Sequence, residues 1–215
     1  MTRGERLGLV YITKDVTFKD IDNGLVDSHA VHRRQVSEWL LEPGHALLST
    51  LESTPINEMA LFGLQLMFFE MHGKFLQGKP AKGDNGEKFK EAWRRFQSFC
   101  ETIDPQAMSQ DPGVDDVMWT QGRNGLFHAL HISTKLSIDI GKILGNRLYG
   151  ENPYLKQKLI SPRNIHPFLC RYFDSYIVEL ESSAGSDINT KFETCYSAFI
   201  REPLAFFSNA SNWKT

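Results

Sequence analysis

The residues with the clearest capacity for chemistry stand together at Arg123-Asn124-Gly125-Leu126-Phe127-His128. A guanidinium keeps its charge at any physiological pH and forks onto phosphate oxygens, whereas an imidazole exchanges a proton near neutrality. The pair therefore suits phosphoryl chemistry: Arg123 neutralises charge on a phosphorane, and His128 moves a proton to or from an oxygen. Metal-free RNA cleavage needs these parts, together with a base for the ribose 2′-OH and an acid for the leaving 5′ oxygen. His131 lies three residues beyond His128.

The spacing predicts one long helix from about Arg123 to about Leu144, closed by Gly145-Asn146. On its projection Asn124, His128, His131, Lys135 and Asp139 share a strip roughly 80° wide, with leucine, isoleucine and phenylalanine around the rest. Unpaired burial of such a strip is costly, so it faces water, a partner subunit or a substrate. The plainer alternative is the exposed stripe of a bundle helix. In a regular helix Arg123 sits about 140° from His128. Arginine's length and its place at the helix end let the two share a cleft, and the helix N-terminus favours an anion there.

The elements that must position this segment also read as helices. Ser28 caps a predicted helix from His29 to about Thr50, which Pro43-Gly44 should bend or break. Pro55 to Gln77 is apolar nearly all round and so central, and Gly78 to Gly86 is a loop. Glu87 to Ile103, Arg163 to Glu181 and Ile188 to Ile200 carry apolar residues at helical spacing. Residues 1–27 form an irregular N-terminal segment with room for a short hairpin over 7–18, and 28–215 form one domain. The class expected is an all-α helical bundle.

Arg123, the adjacent Asn124 and His128 after four intervening residues, at the start of a bundle helix, resemble the motif of the HEPN superfamily. Phe69-Glu70-Met71-His72-Gly73-Lys74-Phe75-Leu76 resembles the acidic position that many of its members carry on an earlier helix. The resemblance covers about residues 28 to 181. It implies a HEPN-like bundle, a homodimer pairing two motifs in one groove, RNA as substrate, and 2′,3′-cyclic phosphate and 5′-OH ends. Catalytic roles would fall to Arg123, His128 and Asn124, with Glu70 and His131 supporting. Glu70 would hold Arg123 or His128, although an i, i+4 pair with Lys74 is equally simple. An antitoxin or defence-system partner fits the same resemblance. The alternative is a non-catalytic HEPN-like module for dimerisation or ligand sensing.

Composition narrows this. With 24 Lys+Arg against 26 Asp+Glu and a net charge of -2, a long duplex-binding face is excluded, because such faces carry a basic excess. RNA contact must be short and local. Lys79, Lys82, Arg94 and Arg95 form a loose basic patch that a solvated surface explains equally well. Cys100, Cys170 and Cys195 show no CxxC pairing and read as reduced core thiols. His128 with His131, and His29 with His32, offer half of a zinc site each. No further ligand is evident, so no metal and no cofactor is expected. Trp39, Trp93 and Trp119 read as core. Arg163-Asn164-Ile165-His166 repeats the residue types at a shorter spacing and reads as a helix start. The polar Met1 to Arg6 predicts no signal peptide, and the window Met59 to Phe69 falls short of the roughly 20 apolar residues of a membrane span. The expectation is a cytoplasmic protein without membrane contact.

Overall fold

The computed structural model describes residues 12–49, 54–80, 83–109, 113–129, 135–140 and 143–201. It is mostly helical, with one small sheet. After a turn in which Ile12 N–H donates to the Val16 carbonyl at 2.7 Å come α1 (Phe18–Asp22), α2 (Ser28–Val36) and α3 (Glu42–Ser49). The later helices are α4 (Pro55–Gln77), α5 (Asn85–Ile103), α6 (Val114–Val117), α7 (Asn124–Ala129), α8 (Pro162–Ser182) and α9 (Asp187–Tyr196). Widened π turns join α2 to α3 at Ser37–Leu41, join α6 to α7 at Met118–Arg123, and follow α9 at Ser197–Arg201.

α4 is the axis. Thr54 caps it, Pro55 supplies a pre-set first φ, and Gly78 closes it in the left-handed region at φ 63°. Leu61, Phe62, Leu66, Phe68, Phe69 and Phe75 are all buried, so hydrophobic transfer acts around the whole helix rather than along one face. α5 packs against it most extensively. The two backbones meet at Gly73, where a Cβ would lie 2.0 Å from the Lys88 carbonyl oxygen. Around that crossing Phe69 meets Trp93 edge-on at 5.0 Å, and Phe96 and Tyr172 extend the aromatic core toward α8.

Several expectations need correction. The helix predicted to reach Leu144 does not: Leu136–Ile138 is strand β1, followed by β2 (Tyr149–Glu151) and β3 (Lys158–Ile160). β1 runs parallel and β2 antiparallel to the central β3. Apolar Leu136 and Ile138 flank Ser137 with the period of two that a strand requires. The Asp139 carboxylate accepts the Ile143 and Leu144 N–H groups at 2.9 and 2.8 Å, so Lys135 and Asp139 do not continue a helical seam from Asn124. The all-α class therefore gives way to a mostly helical fold with a three-stranded sheet. Of the hairpin expected over 7–18, the described residues show a bend closed by the Ile12–Val16 hydrogen bond and then the start of α1 at Phe18, whose capping box joins Thr17 and Asp20; residues 7–11 lie outside the described residues.

Pro43-Gly44 does not break its helix. The π turn before it leaves room for the proline ring, and helix continues to Ser49. Asp27, not Ser28, caps α2, its carboxylate accepting the Ala30 N–H at 3.0 Å.

Candidate functional site

Arg123 closes the π turn Met118–Arg123, and Asn124 opens α7, but residues 114–129 are continuously helical, which corrects the expected helix start at Arg123: the anion-favouring N–H groups of a helix N-terminus are not found there. The turn lies against the core through buried Met118 and Gly122. A Cβ on Gly122 would press on the Phe62 ring at 3.0 Å, so a side chain here would push the turn off α4. That packing brings Arg123 over α4, where Glu70 receives it.

The Arg123 guanidinium donates from Nε to Glu70 Oε2 at 2.7 Å and from Nη2 to Oε1 at 3.1 Å. Both side chains are only about one-fifth exposed, 20% and 18%. A two-pronged ion pair so shielded is worth more than a surface pair, on the order of 2 kcal/mol, because salt and water screen it less. Trp119 supports the guanidinium with its ring centroid 5.3 Å away. Nη1 faces Asn124 Oδ1 at 3.5 Å, the weakest contact of the set and the one an incoming anion displaces at least cost.

The structure thus unites Arg123, Asn124 and Glu70. It pairs Glu70 with Arg123, while the Lys74 ammonium lies 5.8 Å from the Phe199 ring centroid. His128 belongs to α7, but its side chain, like all of His131, lies outside the described residues.

Beside Glu70 a cavity of about 540 Å³ opens, lined by Trp39, Met67, Met71, Lys74 and Phe75 among others. Trp39 is 56% exposed there, which corrects its reading as core. Trp93 is fully buried, and Trp119 is half-buried under Arg123.

The remaining histidines separate by environment. His32 packs among Phe75, Phe173 and Phe192, and burial, with His29 adding to it, lowers its pKa to about 3. It is a core ring, not half of a zinc pair with His29. His72 shares a 2.8 Å hydrogen bond with the Tyr172 hydroxyl, and burial holds it well below its ordinary pKa.

The two arginines of the basic patch are committed to acids, and Lys82 lies outside the described residues. Arg94 meets Asp115 at 2.8 Å, and Arg95 is paired with Glu179.

Arg163 does stand at a helix start, as its context predicts, inside the first turn of α8. Its Nε donates to buried Glu58 at 2.9 Å and its Nη1 to the Leu48 carbonyl at 3.4 Å. His166, one turn on, lies beside His45 and Cys170. Sequence reasoning missed that grouping, since only the i, i+4 spacing of His166 and Cys170 is visible in the text. Cys100 and Cys195 are buried, as core thiols should be, whereas Cys170 is only partly so.

Among the described residues no helix is long and apolar enough to cross a membrane. No known protein family, curated protein or solved structure matches the chain.

Proposed function

We propose that this chain is a HEPN-like, metal-independent endoribonuclease whose composite site forms between two copies of the chain. The observation that carries the reading is the Arg123–Glu70 fork at the start of α7. It holds a permanently charged, phosphate-matching group on the helical run, with Asn124 against it and His128 within the following turn.

In this reading Glu70 is a positioning residue. It fixes one edge of the guanidinium, and a scissile phosphate meets the other edge by displacing the long Asn124 contact. One copy of His128 takes the 2′-OH proton, and the second copy donates to the leaving 5′ oxygen. The two arginines stabilise the phosphorane charge. A single chain holds one Arg and one His of the motif, so a homodimer supplies the acid and the base together. The small net charge agrees with a grip confined to a short single-stranded or looped segment.

The test is cleavage of a structured RNA containing loops by the purified protein in EDTA. Cleavage giving 2′,3′-cyclic phosphate and 5′-OH ends, lost in Arg123→Ala and in His128→Ala, supports it. Cleavage that requires added metal refutes it.

A second reading, a non-catalytic HEPN-like module that senses a ligand, is favoured by the apolar cavity against Glu70 with Trp39 and Met67 exposed at its edge. It predicts saturable binding of an apolar fluorophore in that cavity, weakened by Trp39→Ala, and no RNA cleavage by the wild type. An antitoxin or defence-system partner would be compatible with either reading, and co-purification from the native host tests for one.

A further inference from the structure

His45, on α3, and His166 and Cys170, one turn apart on α8, converge from two helices. Cys170 Sγ lies 3.7 Å from His45 Nε2 and 3.7 Å from His166 Nε2. All three potential ligand atoms fall within 4.8 Å of one another. A tetrahedral zinc ion, with bonds of about 2.3 Å to sulfur and 2.0–2.1 Å to nitrogen, holds its sulfur and nitrogen ligands about 3.6 Å apart. Both sulfur–nitrogen spacings here already match that geometry.

We propose that His45, His166 and Cys170 form a zinc site that staples α3 to α8. One thiolate and two imidazoles are a donor set for a borderline-soft divalent ion, not for magnesium or calcium. A thiol has a single hydrogen to offer, whereas one ion at the centre engages all three side chains. His45 is exposed while His166 is buried, so the fourth position opens to solvent on the His45 side.

The surroundings hold the ligands in place. Gly44 makes the room: a Cβ there would sit 2.2 Å from His166 Cε1, so any other residue would drive the imidazole out of the cluster. The two rings stand nearly perpendicular, 86° apart, with centroids at 4.7 Å. One turn before His166, Arg163 ties α8 to the last turn of α3 through the Leu48 carbonyl. The helices are thus held in register without the ion, and the two nitrogens, within 4.8 Å of each other, close to about 3.3 Å on a tetrahedral zinc. Nothing in this inference depends on the RNA-cleavage reading.

The test is titration of metal-free, reduced protein with cobalt(II), followed by displacement with zinc. The expected result is one equivalent bound, with a thiolate-to-cobalt absorption band in the near ultraviolet and intense visible bands of tetrahedral cobalt. Zinc should abolish these bands and raise the melting temperature. Cys170→Ser should remove the charge-transfer band. His45→Ala, at an exposed position that spares the fold, should weaken zinc by more than the 10–100-fold that an outer-sphere partner is worth. Circular dichroism of the metal-free variants checks that they fold. Arg123→Ala should bind cobalt as the wild type does, which separates this site from the RNA-cleavage reading. Absence of the charge-transfer band in wild type, or its persistence in Cys170→Ser through Cys100 or Cys195, overturns the proposal.

Discussion

The chain carries two Arg-Asn pairs, one inside the helical run 114–129 and one in the first turn of α8, and α4 answers each with a glutamate: Glu70 for Arg123 and Glu58 for Arg163. The local chemistry nevertheless differs. Around Arg163, beyond the Glu58 pair, donors go to backbone. Arg163 reaches the Leu48 carbonyl, and Asn164 Nδ2 donates to the Gly145 and Arg147 carbonyls at 2.8 and 2.9 Å. That pair fastens α3 and the approach to the sheet onto α8. Around Arg123 three side chains stand among its neighbours: Glu70, Asn124 and the Trp119 ring. Contacts of that kind hold a charged group ready without making it a structural bolt. The same dipeptide is a clamp where its donors reach carbonyls of other segments and a candidate site where a carboxylate and an indole hold the guanidinium.

The largest expected effect to separate the two is on catalysis. Arg123→Ala should lower RNA cleavage by about 10²–10³-fold, the usual cost of losing a transition-state charge partner, with a modest loss of stability. Arg163→Ala should leave cleavage per folded molecule close to wild type. Steady-state rates on one RNA, corrected for folded fraction, check both, and equal losses in the two variants would erase the contrast.

Next in size is stability. Glu58 is 1% exposed and Arg163 34%, so Arg163→Ala leaves a buried carboxylate without its main partner. About 2–3 kcal/mol should be lost, below the full 3–5 kcal/mol of a wholly buried pair because the arginine is partly exposed. Chemical denaturation measures it directly.

A comparable effect follows from pH. His32 is neutral in the folded state, with its pKa pushed down to about 3, but titrates near 6.5 when unfolded. The unfolded chain therefore binds the extra proton below about pH 6.5, and stability falls with pH at about 1.4 kcal/mol per unit from this group until pH nears 3. His72, lowered in the same direction, adds to the slope. His32→Phe, placed among Phe75, Phe173 and Phe192, should flatten the fall in melting temperature between pH 7 and pH 5. An unchanged slope would contradict the burial argument.

The smallest effect separates the asparagines. Asn164→Ala should cost about 1 kcal/mol or slightly more through two orphaned carbonyls, whereas Asn124→Ala should cost almost no stability. Melting curves of the two variants decide it.

Much of the architecture was legible in the residues. The bounds of α4 could be read because Thr54, Pro55 and Gly78 are chemical punctuation, and α5 and α8 because aromatic periodicity was strong. The sheet was hidden because Leu136, Ile138, Ile140, Ile143 and Leu144 satisfy a helical projection as well as they satisfy strands. Only tertiary pairing with Lys158–Ile160 and the Asp139 cap decide between them. At the candidate site, local spacing marked Arg123 and His128. Glu70 lies 53 residues from its partner, so local text left it balanced between Arg123, His128 and Lys74. The His45–His166–Cys170 cluster was illegible because His45 joins it across more than a hundred residues, and periodicity carries no information at that range.

The most direct test of the central claim is the rate of RNA cleavage by wild type, His128→Ala and Arg163→Ala side by side in EDTA, at matched folded fraction, with the RNA ends identified. The account predicts cyclic-phosphate and 5′-OH products from wild type and Arg163→Ala, and none from His128→Ala. Undiminished cleavage by His128→Ala would contradict it.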